Sequence, residues 1–310
     1  MKTLPLCCPC TNKADLNETK NGYVCRNHAC SHSKQEMAFP KVNSIPILIS
    51  EIQTDTVCSI EAGKTYFKRP MAKYTKLKKI IVGESRTTKQ NCKKFLEEVF
   101  KLTINPKILI IGGAEKGSGT DTLWNDLNIE IHSVDIYPTD TVDLVCDGHY
   151  LPLKCDYYDG VWIQAVLEHV VEPSVVVNEI YRVLKKDGIV YAETPFMQQV
   201  HEGAYDFTRY TVVGHRYLFK NFDLIDLGGN KGPEIVLAWS IRYFIWALTR
   251  SKRIARVLGL FFGLLMRPCE FFLSKKSMYD ASSGVYFMGK KGINEKLTHK
   301  ELIKLYQGQF

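Results

Sequence analysis

The sequence predicts an α/β protein whose core is a doubly wound, mostly parallel sheet, and three observations lead there. Short uninterrupted apolar runs, which suit strands buried on both faces, alternate with stretches whose apolar residues recur at helical spacing. The first run, Ile108-Leu109-Ile110-Ile111, closes on Gly112-Gly113, and the second, Glu130 to Asp135, ends in a carboxylate. Strands that alternate with helices pair in parallel through crossover connections.

Taken in chain order, residues 1–50 are loop-rich and cysteine-rich and end in the strand-like Ile45-Pro46-Ile47-Leu48-Ile49. Residues 51–104 read as a basic linker and a leading helix. Thr87 or Thr88 caps that helix, Phe95, Leu96, Val99, Phe100 and Leu102 line it, and Asn105-Pro106 ends it. Residues 105–310 then form the sheet domain. Its further strands are expected at 129–134, 143–146, 160–164 and 188–192, with Phe222–Leu227 sixth and Gly284–Gly289 last. The clearest helix runs from about Ser174 to Lys186, starting after Glu172-Pro173, striped by Val175, Val176, Ile180, Val183 and Leu184, and stopping at Gly188.

Between the last two strands, residues 231–283 form a helical insertion. Leu237, Ile241, Phe244, Ile245 and Leu248 fall on one face, and Val257 to Met266 is apolar all round with Arg250, Lys252, Arg253, Arg256 and Arg267 nearby. Such a helix can lie in the headgroup layer of an anionic membrane, although the same stripe also serves as a lid or a homodimer interface.

The chain of 310 residues is long enough to bury a large core, and its net charge of +8 is unevenly spread. Residues 68–107 hold twelve Lys/Arg against three Glu, and residues 230–276 nine against two. These basic faces suit phosphate, nucleic acid or anionic lipid, or are simply solvated. Five of the ten cysteines crowd into the first thirty residues, which is no disulfide framework, and Met1 to Cys10 lacks the apolar run of a signal peptide. A reducing cytoplasm is therefore expected, with peripheral attachment at the inner membrane face if the insertion meets lipid.

The turn Gly112-Gly113-Ala114-Glu115-Lys116-Gly117-Ser118-Gly119 brings bare backbone to a helix start, where a nucleotide-like ligand can come close. It lacks the Lys-Ser/Thr of a phosphate-binding loop and the G-x-G-x-x-G of a dinucleotide site. Asp135, 18 residues past Gly117, is placed to accept from both ribose hydroxyls of an adenosine. Asp147-Gly148-His149-Tyr150-Leu151-Pro152 follows a third strand, where Asp147 can accept from an adenine amine while Leu151 flanks the ring. The fourth strand leads to Gln164-Ala165-Val166-Leu167-Glu168-His169-Val170.

With Tyr181-Arg182-Val183-Leu184 and Asp187-Gly188, these motifs resemble the class I methyltransferases of the type 11 group over about residues 105–229. The resemblance implies a Rossmann-like, seven-stranded sheet and an S-adenosyl-L-methionine site at Gly112, Gly113, Gly117, Asp135, Ile136, Asp147, Gly148, Leu151 and Gln164. Two departures stand out: Gly112-Gly113 replaces the usual Gly-Cys-Gly, and Ile110 stands where an Asp is common. The segment after the fifth strand, Glu193 to Tyr210, resembles that of methyltransferases of bacterial polysaccharide and envelope biosynthesis. It places His201 as base, Asp206 and Arg209 as substrate-orienting groups and His169 nearby, although these residues also suit a structural brace.

Cys7 and Cys10 form a C-x-x-C knuckle, and Cys25 and Cys30 a wider pair after fourteen intervening residues. Two such pairs fit one closed, structural zinc ion, with Cys8 an alternative to Cys7 and His28 to Cys30. The module resembles small zinc-ribbon proteins that activate methyltransferases. The expected enzyme therefore methylates a small-molecule or lipid-linked sugar acceptor. Rival readings are an RNA or protein methyltransferase that holds substrate through the ribbon, against which no aromatic-interleaved RNA motif is visible, and a non-catalytic cofactor-binding subunit.

Overall fold

The computed structural model describes residues 3–52, 54–65, 85–274, 276–292 and 297–309. Most of the basic stretch expected in the linker, residues 66–84, lies outside the described residues. At the N-terminus, β1 (Leu16–Thr19) and β2 (Gly22–Cys25) form a hairpin, and β3 (Lys41–Val42) pairs with β4 (Ile45–Pro46). A short helix, α1 (Ile60–Lys64), follows, capped by the Ser59 hydroxyl. Then comes α2 (Arg86–Phe100), whose N-cap is Ser85 and not Thr87 or Thr88: its hydroxyl accepts from the Thr88 amide at 3.1 Å, which frees the Thr88 side chain for the site below. Phe95, Leu96 and Val99 bury the inner face of this helix, Phe95 meeting Trp162 edge-on at 5.4 Å between centroids.

The expected strands are all present as β5 (Lys107–Ile111), β6 (Glu130–Asp135), β7 (Leu144–Val145), β8 (Tyr158–Gln164), β9 (Leu184–Pro195), β10 (Asp223–Asn230) and β11 (Gly284–Lys290). They form one seven-stranded sheet in the order β10-β11-β9-β8-β5-β6-β7, all parallel except for β11, which runs against both neighbours. The chain leaves β5 for β6 on one side and returns to β8 on the other, so a crevice opens at the carboxyl ends of these strands.

Helix α3 (Asp121–Asn125) follows β5, and α4 (Pro173–Val183) covers the sheet with Val176, Val177, Ile180 and Val183. This second helix ends three residues earlier than its basic tail suggests. Leu184 already pairs with Tyr158, Lys185 reaches Asp159 at 2.8 Å, and the left-handed residue is Asp187 (φ 65°), not Gly188. Arg182, near the end of α4, donates to the carbonyls of Leu151 and Leu153 and grips Glu179, clamping the helix onto the loop before β8.

Residues 1–50 do not stand apart from the sheet. Cys8, Phe39 and Leu48 share one apolar cluster with Leu144, Leu153 and Val161. The Cys7 amide donates to Pro152 O at 2.9 Å, and the Leu48 amide to Val145 O at 2.8 Å.

After α5 (Val212–Leu218), the insertion is a helical hairpin of α6 (Pro233–Thr249) and α7 (Lys252–Met266), followed by α8 (Ser277–Ala281); α9 (His299–Lys304) ends the described fold. Arg250, left-handed at φ 54°, turns the hairpin, and Gly259 lets α7 approach Arg242, where a Cβ would come within 2.8 Å of the arginine side chain. Among the described residues no helix is long and apolar enough to cross a membrane.

His215 of α5 is fully buried, paired with the Thr194 hydroxyl at 3.1 Å and packed against Phe219. Burial pushes its pKa down to about 3, so the folded protein holds it neutral while the unfolded chain protonates near pH 6.5. This contribution is complete above pH 6.5 and lost as pH falls towards 3. Urea unfolding across that window should show wild type losing about 1.4 kcal/mol per pH unit relative to His215→Phe, and parallel curves for the two proteins would refute it.

Candidate active site

Two groups of residues meet at the crevice, one on each side of Gln164. On the β5–β6 side, Gly112 is left-handed (φ 80°), and a Cβ there would lie 2.2 Å from Val166 Cγ2. A Cβ on Gly113 would lie 1.9 Å from Ser133 Oγ, and one on Gly117 2.1 Å from Gln164 Oε1. The glycines are therefore needed for the strand ends to close on one another. Asp135 accepts from the Ala114 amide at 2.9 Å with one oxygen and from the Ile136 and Tyr137 amides at 2.7 and 3.2 Å with the other. Its carboxylate is half-buried at the strand tip.

These residues fit the diol end of an adenosine. The adenine end fits less directly. Asp147 is buried and already accepts from the His149 amide and ring and from the Thr56 hydroxyl. Leu151, expected to flank the ring, is instead completely buried under the N-terminal module, where Arg182 and Lys13 bind its carbonyl. Gly148 opens a tight turn against Val176, and Ile136 is exposed beside Asp135.

On the other side Glu193, near the end of β9, is half-buried, and desolvation raises its pKa. It accepts from the Thr88 hydroxyl at 2.8 Å, the Tyr191 hydroxyl at 2.9 Å and the Asn230 amide, with Gln164 Nε2 at 3.5 Å. Sequence reasoning gave Glu193 no role; its one signal was an acid at a strand tip. It lines a cleft with Ala165, Gln198, Lys231 and Trp239, the last supplied by α6.

Beside this cleft the structure brings His169, His201, Asp206 and Arg209 together. The two imidazole Nε2 atoms lie 3.1 Å apart, and His201 Nδ1 faces Asp206 at 3.3 Å. Burial and the neighbouring His169 lower the His201 pKa, while hydrogen bonds from Arg209 hold Asp206 down at about 2. Arg209 does not face substrate as expected. It is spent on Asp206 and on the carbonyls of Gln198 and Thr208, so the pair steadies the His201 loop. Glu168, also without an expected role, lies fully buried under both histidines, and burial pushes its pKa up to about 8.

At the N-terminus the sulfurs of Cys8, Cys10, Cys25 and Cys30 lie within 4.8 Å of one another, with Cys8 and Cys30 3.8 Å apart. Sulfurs sharing a zinc at roughly 2.3 Å in tetrahedral array stand about 3.8 Å apart, so the donor set fits that ion. The expected fourth ligand Cys7 is replaced by its neighbour. The Cys7 amide is pinned to Pro152 and that of Cys8 to Ala14, which turns successive side chains opposite ways.

Residues 82–192 match the family described as methyltransferase domain. Among solved structures, the phosphoethanolamine N-methyltransferase 2 of Haemonchus contortus is 14% identical, with 71% of this chain and 58% of that one aligned at a TM-score of 0.43. The geranyl diphosphate C-methyltransferase of Streptomyces coelicolor A3(2) is 11% identical over 65% of this chain and 75% of that one, at a TM-score of 0.42. A complex of the Haloferax volcanii Trm112 methyltransferase activator with a methyltransferase matches at 17% identity, 67% and 95% coverage and a TM-score of 0.39. No curated protein matches the chain in sequence. The family match, together with the strand-end geometry, carries the assignment.

Asp135→Ala should weaken S-adenosylmethionine binding about tenfold, since a hydrogen bond to a charged acceptor is worth roughly 1.5–3 kcal/mol. Calorimetry on a folded variant with unchanged affinity would count against the ribose assignment.

Proposed function

We propose, from the premise that this chain carries a class I S-adenosylmethionine-dependent methyltransferase domain, that its acceptor is a lipid-linked polar molecule such as a sugar, met at an anionic membrane surface. The observation behind this reading is the α6–α7 hairpin. Its Trp239 walls the acceptor cleft, while its outer surface exposes Phe244, Leu248, Val257, Phe261 and Leu265, each between 56% and 68%. Arg250, Lys252, Arg253, Arg256 and Arg267, on or next to the same hairpin, are all exposed. Apolar area flanked by cations is the chemistry of a helix lying among anionic headgroups. A membrane-bound acceptor would thereby be presented at the cleft, where Lys231, Glu193, Asn230 and Gln198 offer polar contacts. Such attachment is peripheral, on the cytoplasmic side.

S-adenosylmethionine, held by Asp135 and the Gly112–Gly117 turn, would supply the methyl group. The chain's own work is to align an acceptor oxygen and exclude water. His169 and His201 present their ring nitrogens on that side, steadied by Asp206 and Arg209. We further propose that Cys8, Cys10, Cys25 and Cys30 hold one structural zinc, which anchors the module against Leu144 and Leu153.

Co-sedimentation with vesicles tests the lipid reading: recovery should be high with anionic and near background with neutral vesicles. Each cation near such a surface is worth about 1 kcal/mol, so Arg253→Ala with Arg256→Ala should lower partitioning about thirtyfold. Background recovery with both vesicle types would leave the hairpin a lid or a dimer interface. For the thiolates, elemental analysis of reduced protein should find that Cys8→Ser loses one equivalent of zinc and Cys7→Ser retains it. The reverse result would restore Cys7 as the ligand.

A further inference from the structure

Three potential metal donors, Glu168 Oε1, His169 Nε2 and His201 Nε2, converge beside the acceptor cleft. His169 Nδ1 lies 2.6 Å from the Tyr205 carbonyl oxygen. A carbonyl only accepts, so that nitrogen carries the hydrogen and Nε2 keeps its lone pair. His201 Nδ1 faces the Asp206 carboxylate at 3.3 Å, already gripped by Arg209, which turns its Nε2 towards His169. The two Nε2 atoms lie 3.1 Å apart. Glu168 Oε1 completes the triangle, 3.6 Å from His169 Nε2 and 3.9 Å from His201 Nε2, too far for hydrogen bonds. Neither Glu168 oxygen has a hydrogen-bond partner among the described residues, and the side chain is wholly buried. A wholly buried carboxyl group without a hydrogen-bond partner is costly, and a cation shared with the two imidazoles would satisfy it in its charged form.

We propose that Glu168, His169 and His201 form a binding site for a divalent transition-metal ion. Donors sharing one ion at roughly 2.0–2.1 Å stand about 3.4 Å apart at tetrahedral angles, close to the edges of 3.1, 3.6 and 3.9 Å seen here. The far nitrogen of each histidine is held by a carbonyl or a carboxylate, the outer-shell arrangement that fixes the tautomer of a metal-bound imidazole. Two imidazoles and one carboxylate select zinc, cobalt, nickel, iron or manganese over magnesium or calcium. Among the described residues three protein ligands converge, so at least one position stays open. Glu168 is 0% exposed while His169 and His201 are 22% and 30% exposed, which turns the open position outward. The ion's role, though not its binding, rests on the methyl-transfer reading: the open position would take the acceptor oxygen and favour its deprotonated form.

Full-length protein freed of loosely held metal is titrated with Co²⁺ and with Zn²⁺, with neither S-adenosylmethionine nor acceptor present. Wild type should bind one equivalent more than Glu168→Gln or His201→Ala, while thiolate-to-cobalt absorption from the N-terminal cysteines is the same in all three. If Glu168→Gln retains the extra equivalent weakly, its affinity should be at least tenfold lower. Equal stoichiometry and equal affinity in wild type and the near-isosteric Glu168→Gln would overturn the site, even if His201→Ala failed to fold. Because no methyl transfer is measured, that outcome would leave the enzymatic reading intact, and absent cofactor binding would leave the metal site intact.

Discussion

The site depends on how closely three strand ends approach at the crevice. Gly112, Gly113 and Gly117 stand against Val166, Ser133 and Gln164 at separations that leave no space for a side chain. That contact fixes where β5, β6 and β8 end relative to one another, and so where Asp135 and Gln164 project. Asp135 reinforces it by binding the amides of Ala114, Ile136 and Tyr137, so the residue assigned to the ribose also shapes the turn beneath it.

Glu193 plays the corresponding part on the acceptor side. It ties the start of α2 through Thr88, the end of β10 through Asn230 and its own strand through Tyr191. A desolvated carboxyl group is tolerated there because α2, β9 and β10 each offer it a donor. Glu168, a few residues from the same strand ends, is buried with no such donors. The contrast marks Glu193 as architecture and Glu168 as a group awaiting a partner.

The sheet was legible because β5, β6, β8 and β9 carry short apolar runs, with β5 stopping at a glycine turn and β6 at an acid, and those signals survive without tertiary knowledge. The helix boundaries were less so. Thr87-Thr88 caps as well as Ser85 on paper, and only the demand of Glu193 for the Thr88 hydroxyl decides between them. Cys7 gives a C-x-x-C spacing to Cys10 and Cys8 only C-x-C, yet the Cys8 sulfur joins the cluster because the Cys7 amide is held by the Pro152 carbonyl, far along the chain. Leu151 follows an adenine-contacting acid in the motif, but its burial comes from a module that periodicity could not orient. The triangle of donor atoms depends on a backbone carbonyl at Tyr205, which no side-chain pattern reveals.

The pairing of the Ile47–Leu48 segment with Val145 has a consequence for solubility. β7 is only two residues long and forms the outer rim of the sheet, where unpaired backbone groups would invite another chain to add on. The Leu48 amide occupies Val145 O, the Ile47 side chain lies over the rim, and Gly63 of α1 closes beside it. The N-terminal module thus shields that rim, and a catalytic domain expressed without it would carry an open template for intermolecular strand addition.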